Sequence, residues 1–146
     1  MKLNMKSLVL AGTCLLFGLT VSPHVGAQHS TPETTTRQAV VWTSADPDVA
    51  HRMVLMYMHA SQNAGWFDEN RVIVWGPSAR LLAVDKDLQA KVKAMMADGV
   101  KFQACVVCAD MYGVTPMLRD MGLEVKAMGK PLSRLLQDDG WKVMTF

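Results

Sequence analysis

The sequence has few cysteines, few charged residues and no dense cluster of one charge. Of its 146 residues, 15 are Lys or Arg, 13 are Asp or Glu and three are Cys. Without a basic cluster, the surface has no electrostatic footprint for nucleic acid or for an anionic membrane. Neither a GxGxxG motif nor a P-loop occurs, so no motif supports nucleotide binding. We therefore expect a protein that binds neither nucleic acid nor nucleotides.

Long apolar runs are also scarce. The run at residues 8–21 is short of the roughly 20 residues that cross a bilayer. Lys2 and Lys6 precede it, and a small-residue cleavage signal ending at Ala27 follows it. This order is typical of a secretory signal peptide. We predict a signal peptide over residues 1–27, a periplasmic mature protein and no membrane attachment after cleavage.

Cleavage would change the composition of the mature chain. It would remove Cys14 and two lysines, leaving two cysteines and as many basic residues as acidic ones, 13 of each. Residues 28–38 are polar and Thr-rich and contain Pro32, which predicts a flexible leader. Residues 39–146 have the length of one domain. A nearly neutral surface does little to prevent self-association.

Five short apolar runs alternate with stretches of helical character. The runs predict strands at 39–44, 70–76, 100–104, 123–128 and 141–146. The stretches between them predict helices at 47–63, 78–85, 86–98, 105–121 and 131–139. Strands separated by helices form βαβ units with right-handed crossovers. The sequence therefore predicts an α/β fold, a small doubly wound three-layer sandwich of about five mostly parallel strands flanked by helices.

Sites in such sheets lie at the carboxyl ends of strands, where three stretches fall: residues 43–44, residues 76–78 and Cys105. Cys105 begins a helix, where free N–H groups and the helix dipole favour a thiolate. Cys108 lies one turn later on the same helix face, and we expect it to be the more buried thiol. We select Cys105 and Cys108 as candidate catalytic residues. Alternatively, both pack against the sheet as small apolar side chains.

The spacing of the cysteines does not match a metal-binding or cofactor-binding motif. Attachment of c-type haem requires His directly after the second Cys, where the chain has Ala109. Structural zinc requires four ligands, and only two cysteines are close in sequence. Copper could use Met and His side chains of the first helix, which carries His51, Met53, Met56, Met58 and His59. These side chains are explained more simply by a helix that is apolar on most sides. Such a helix would be buried between the sheet and a neighbouring subunit. We expect no metal and no cofactor.

Three stretches together resemble a known family. They are VIVWGPSARLLAVD (72–85), GVKFQACVVCADMYGV (99–114) and LEVKAMGKPLSRLLQDDGWKVMTF (123–146). They cover nearly all of the predicted domain and resemble the DsrE/DsrF-like proteins. That family includes the sulfurtransferase subunits of Tus-type sulfur relays and a group of secreted relatives, and the chain resembles the secreted group.

The resemblance implies a small α/β fold and a homo-oligomer, either a trimer or a hexamer. It also implies that Cys105, at the end of the third strand, carries sulfur as a persulfide. The chain departs from the cytoplasmic relay pattern at Cys108, which that pattern lacks. A secreted protein also cannot serve tRNA thiolation inside the cell.

Two functions remain open. In the first, the protein handles sulfane sulfur or thiol exchange through Cys105, with Cys108 as resolving thiol and a donor or acceptor protein as partner. Whether this is sulfurtransferase-like catalysis or sulfur carriage alone stays open. In the second, a non-catalytic oligomer binds a partner or ligand at the strand ends and holds a disulfide between Cys105 and Cys108.

Overall fold

Five strands alternate with helices in residues 36–146, the part of the chain that the computed structural model describes. The strands are β1 (Arg37–Trp42), β2 (Glu69–Val74), β3 (Lys101–Cys105), β4 (Glu124–Lys126) and β5 (Trp141–Thr145). The predicted signal peptide, residues 1–27, lies outside the described residues, as does most of the predicted leader. The last two residues of that leader belong to β1, so the sheet begins slightly earlier than predicted.

The helices connect these strands in chain order. They are α1 (Pro47–Val49), α2 (Leu55–Ala64), α3 (Pro77–Val84), α4 (Lys86–Ala97), α5 (Val106–Met111), α6 (Thr115–Asp120) and α7 (Gly129–Gln137). A π-helical turn (Ala50–Val54) joins α1 to α2. Within residues 36–146, no helix combines the length and apolar character needed to cross a bilayer.

All strand pairs in the sheet are parallel, in the order β4-β3-β2-β1-β5. Val40 of the central strand β1 pairs with Val72 of β2 on one side and with Met144 of β5 on the other. The chain thus moves outward from β1 to β4 and then crosses to the opposite side of β1. Right-handed crossovers place the earlier helices on one face of such a sheet and the last helix on the other.

Two core clusters, one on each face, show the resulting three layers. One cluster joins the helices α2 to α6 to side chains such as Val40 and Trp42 of β1. The other joins Leu135 of α7 to alternate residues of β1, such as Val41. Successive residues of a strand point to opposite faces, so both faces of β1 are buried. This confirms the predicted doubly wound α/β sandwich.

The long helix predicted after the third strand divides in two. Gly113 has φ 67°, a left-handed conformation that favours glycine, between the end of α5 and the start of α6. Pro116 is in the first turn of α6, where its missing N–H costs no hydrogen bond. The division leaves α5 a short helix that follows Cys105 directly.

Candidate functional site

Two of the three stretches predicted at strand ends stabilise the fold. The backbone N–H and the Oγ1 of Thr43 both donate to the carbonyl of Phe146, at 2.7 and 2.6 Å. The Oγ of buried Ser78 donates to the carbonyl of Trp42 at 2.5 Å and accepts from the N–H of Trp75 at 3.1 Å. These polar groups are already paired within the fold, so they are poorly placed to bind a ligand.

Cys105 lies at the junction between a strand and a helix, as predicted. It is the last residue of β3 and the N-cap residue of α5. Its backbone is extended, with φ −73° and ψ 113°, which is typical of an N-cap residue. The side chain belongs to the core cluster on the α7 face, together with Val41, Ile73 and Met128. Only 4% of the residue is exposed.

Backbone N–H groups and a second thiol lie near the sulfur of Cys105. Burial by itself would raise the pKa of this thiol, but the N–H groups of Cys108, Met128 and Val107 and the Cys108 thiol together hold the pKa below its ordinary value. Donors that point at a thiolate favour the charged form. The surroundings therefore favour the ionised form of Cys105.

Cys108 has the opposite electrostatic setting. Burial raises the pKa of its thiol, and the hydrogen bond to Cys105 and the charge of that thiolate raise it further, although the N–H of Gly76 opposes them. A thiol that donates a hydrogen bond to a neighbouring thiolate is harder to ionise. As the pH rises, Cys108 therefore loses its proton after Cys105. Both cysteines are free thiols.

The burial of the two cysteines is the reverse of what the sequence predicts. Cys105 is buried and Cys108 is only half-buried, so the prediction that Cys108 is the deeper thiol is wrong. Cys105 ends a strand covered on that face by α7, whereas Cys108 lies on the first turn of a six-residue helix. The order of the pKa values, in contrast, agrees with the order predicted from helix position.

Gly76 contributes a backbone donor from the end of β2. It has φ 68° and ψ −134°, a conformation almost restricted to glycine, and it is the N-cap residue of α3. Its N–H points at the sulfur of Cys108. The conformation of Gly76 thus places the backbone of the turn after β2 next to Cys108.

Met128 is a site residue that the sequence analysis missed. It follows β4 and precedes α7, and its backbone N–H points at the sulfur of Cys105. The analysis assigned this residue to the fourth strand. Knowing that β4 lies beside β3 would have indicated that Met128 lies near Cys105, since both strands end at the same edge of the sheet. The thiol site therefore draws on the ends of β2, β3 and β4.

A cavity in the described part of the chain lies away from the thiols. It has a volume of about 410 Å³ and separates α2 from α4. The residues that line it are His51, Leu55, Met56, His59, Lys91, Ala94 and Met95. Neither cysteine is among them. We place the candidate site at the thiols because a cysteine with a lowered pKa is a reactive group, and the lining of this cavity includes no cysteine.

The methionines and histidines of the first helix take different positions. Met58 is fully buried in the core, whereas Met53 and Met56 are exposed. The Nδ1 of His51 lies 2.9 Å from the Nζ of Lys91. In the described part of the chain, no cluster of three or more His, Cys, Asp or Glu side chains is arranged to hold a metal ion.

Parallel strands in a doubly wound sheet define an α/β protein, and a cysteine ends its third strand. Residues 48–146 match the model of the DsrE/DsrF-like family, so the chain belongs to that family. A search of curated proteins found no match.

Two solved structures are similar to this chain. A conserved protein of unknown function from Bacteroides thetaiotaomicron, BT1422, is 31% identical, with a TM-score of 0.72 over 75% of this chain and 94% of that one. The ychN protein from E. coli is 15% identical, with a TM-score of 0.56 over 76% of this chain and 99% of that one. The second likeness supports the fold alone.

Proposed function

We propose that the protein carries sulfane sulfur on Cys105 in the periplasm, with Cys108 as the resolving thiol. One observation carries this proposal: two adjacent thiols have opposite pKa shifts at the edge of the sheet where three strands end. A thiolate is the nucleophilic form of cysteine, and a protonated neighbour stays in reserve. Membership of the DsrE/DsrF-like family supports a role related to sulfur relay.

The loading step forms a bond between the Cys105 sulfur and the terminal sulfur of a donor persulfide, R–S–SH. The sulfur–sulfur bond of the donor breaks, and R–S⁻ leaves as a thiolate. The products are Cys105–S–SH and R–S⁻, so the single negative charge passes from the protein to the donor. The N–H groups of Cys108 and Met128 stabilise the attacking thiolate before this step.

The carried sulfur then has two outcomes. An acceptor thiolate attacks the terminal sulfur, takes it and leaves Cys105 as a thiolate. Without an acceptor, Cys108 loses its proton and attacks the sulfur of Cys105, forming a disulfide and releasing HS⁻. A dithiol reductant, oxidised to its own disulfide, then restores both thiols. Because the pKa of Cys108 is raised, release by Cys108 is slow and the sulfur is kept for an acceptor.

We also propose that the protein works as a homo-oligomer, a trimer or a hexamer. Several large apolar side chains are exposed on the single chain, including Met53, Met56, Trp66, Val107 and Met111. Apolar surface of this extent is typical of protein contacts. In the alternative function, the oligomer is not catalytic and the cysteines form a disulfide.

Loading of the reduced mature protein by a persulfide donor tests the proposed function. Intact mass spectrometry should show an addition of about 32 Da, one sulfur atom, that dithiothreitol removes. The Cys105→Ser variant should gain nothing. The Cys108→Ser variant should load and keep the sulfur longer than the wild type, because the resolving thiol is gone. Loading of Cys105→Ser at the wild-type level would overturn the assignment.

A further inference from the structure

The cavity between α2 and α4 has the size and lining of a small-molecule site. Its volume of about 410 Å³ lies within the range of ligand pockets, which is roughly 300–1,000 Å³. Leu55 and Met95 of the lining are buried, whereas Met56 and Ala94 are exposed. The lining is therefore apolar from its depth to its surface, which suits the apolar part of a ligand.

A lysine and a histidine of the lining are in contact. The Nζ of Lys91 lies 2.9 Å from the Nδ1 of His51. An ammonium group has no acceptor, so it donates to Nδ1, and we assign the imidazole proton to Nε2. The Nε2 of His51 faces Asp85, whose Oδ2 lies 3.6 Å away. His51 therefore lies between the ammonium group of Lys91 and the carboxylate of Asp85.

The charge of Lys91 is not neutralised by the described residues. None of the ion pairs found in residues 36–146 includes Lys91. Asp85 faces His51, and its Oδ1 accepts from the N–H of Leu88 at 2.9 Å, where it caps α4. Because the ammonium group has three donors and His51 takes one, Lys91 has donors left for an anion beside an apolar surface.

The backbone at His51 is a second observation that points to a ligand. His51 belongs to the π-helical turn Ala50–Val54. Such turns are rare in proteins and occur frequently at functional sites. His59, which also lines the cavity, lies eight residues after His51, roughly two helical turns or 10 Å along the helix. The lining thus extends over the length of a small elongated molecule.

We propose that this cavity binds a small monocarboxylate with an apolar body, with the carboxylate on Lys91 and the apolar body against Leu55 and Met95. Hydrogen bonds between an ammonium group and a carboxylate are stronger than those between neutral groups. Methionine side chains such as Met56 and Met95 adapt to ligands of different shape, so the lining selects for apolar character and length. The site is separate from the cysteines and does not depend on sulfur chemistry.

A matched pair of ligands tests this inference. The probes are octanoate and octanamide, which have the same apolar body and differ in one negative charge. In a titration followed by NMR of isotope-labelled methionine methyl groups, both should shift the signals of Met56 and Met95. The dissociation constant of octanoate should be about fivefold lower than that of octanamide, a modest factor because Lys91 is exposed. Acetate, which lacks the apolar body, should shift neither signal.

Three variants complete the experiment. In Lys91→Gln, the preference for octanoate should disappear while octanamide binds as it does to the wild type. Lys93→Gln is the control, since Lys93 is an exposed lysine of α4 outside the lining, and it should keep the full preference. Ala94→Leu places a larger side chain in the cavity and should abolish binding of both ligands. Because Ala94 is exposed and leucine favours helices, this variant should unfold at the wild-type temperature.

Several results would overturn the inference. Equal affinity of the wild type for the two ligands, or a full preference for octanoate in Lys91→Gln, would show that Lys91 does not bind the carboxylate. Unchanged binding in Ala94→Leu would place the ligand elsewhere. Met56 is also one of the exposed apolar side chains assigned to subunit contacts, so the titration uses the mature protein in its own state of assembly. If a neighbouring subunit fills the cavity, no ligand will shift either methionine signal, and the inference fails.

Discussion

The thiol of Cys108 packs against Cys105, one helical turn earlier in the chain. The same contact lowers the pKa of Cys105 and raises the pKa of Cys108. As the pH rises, Cys105 therefore loses its proton before Cys108, and the first ionisation opposes the second. The order of ionisation supports the proposal that Cys105 attacks the donor and Cys108 releases the sulfur slowly.

Removal of the Cys108 thiol should raise the pKa of Cys105. The Cys108→Ala variant lacks the S–H donor but keeps the backbone N–H groups, so the pKa of Cys105 should rise toward the ordinary thiol value. Cys108→Ser keeps a donor and should show a smaller change. Ultraviolet absorbance of the thiolate during a pH titration measures both. An unchanged pKa in Cys108→Ala would show that the thiol contact carries no weight.

The order in which the two cysteines are alkylated shows whether thiol pKa or solvent exposure determines their reactivity. In reduced protein at about pH 7, iodoacetamide should label Cys105 before Cys108, because only the thiolate reacts. As the pH rises, Cys108 should approach the rate of Cys105, since its pKa is the higher of the two. Peptide mapping after brief labelling gives both rates. Earlier labelling of Cys108 at neutral pH would mean that its greater exposure outweighs its protonation.

The backbone conformation of Gly76 should limit substitution there. A Cβ at this position would have open space, so the cost of Gly76→Ala comes from its φ of 68° alone. We expect a loss of about 1–3 kcal/mol in the free energy of unfolding. Gly129→Ala is the matched control, with open space and no positive φ, and should change stability little. Equal denaturation midpoints for the two variants would show that an alanine at position 76 does not strain the backbone.

The state of assembly is a separate prediction. The exposed apolar side chains and the nearly neutral mature composition favour self-association. Light scattering of the mature protein at micromolar concentration should give a mass of three or six chains. A single-chain mass at that concentration would remove the proposed oligomer and leave the thiol chemistry unaffected.

The sheet could be predicted because its signals are local. Continuous apolar runs such as 39–44 indicate strands with both faces covered, and helices between them indicate parallel pairing. Strand order depends on contacts between distant segments, and no single run encodes that β5 pairs with β1. The position of Cys105 at a strand end was likewise predictable from the change between strand and helix.

The finer details of the site required the three-dimensional structure. The N–H of Met128 reaches Cys105 only because β4 lies beside β3, and the N–H of Gly76 reaches Cys108 only because α3 lies beside α5. The burial of Cys105 comes from the single helix α7 on that face of the sheet. The sequence predicted greater burial for Cys108 because it lies one turn further into the helix. Helix periodicity does not show which face of the sheet a later helix covers, so the burial of Cys105 could not be predicted from it.

The intact mass of the protein taken from its native compartment, without reductant, tests the account most directly. We expect a population heavier than the mature dithiol by about 32 Da, lost on treatment with dithiothreitol and located on Cys105 by peptide mapping. A homogeneous population about 2 Da lighter than the dithiol would instead show a disulfide between Cys105 and Cys108. That result, with no sulfur adduct in any fraction, would contradict sulfur carriage and favour the non-catalytic oligomer.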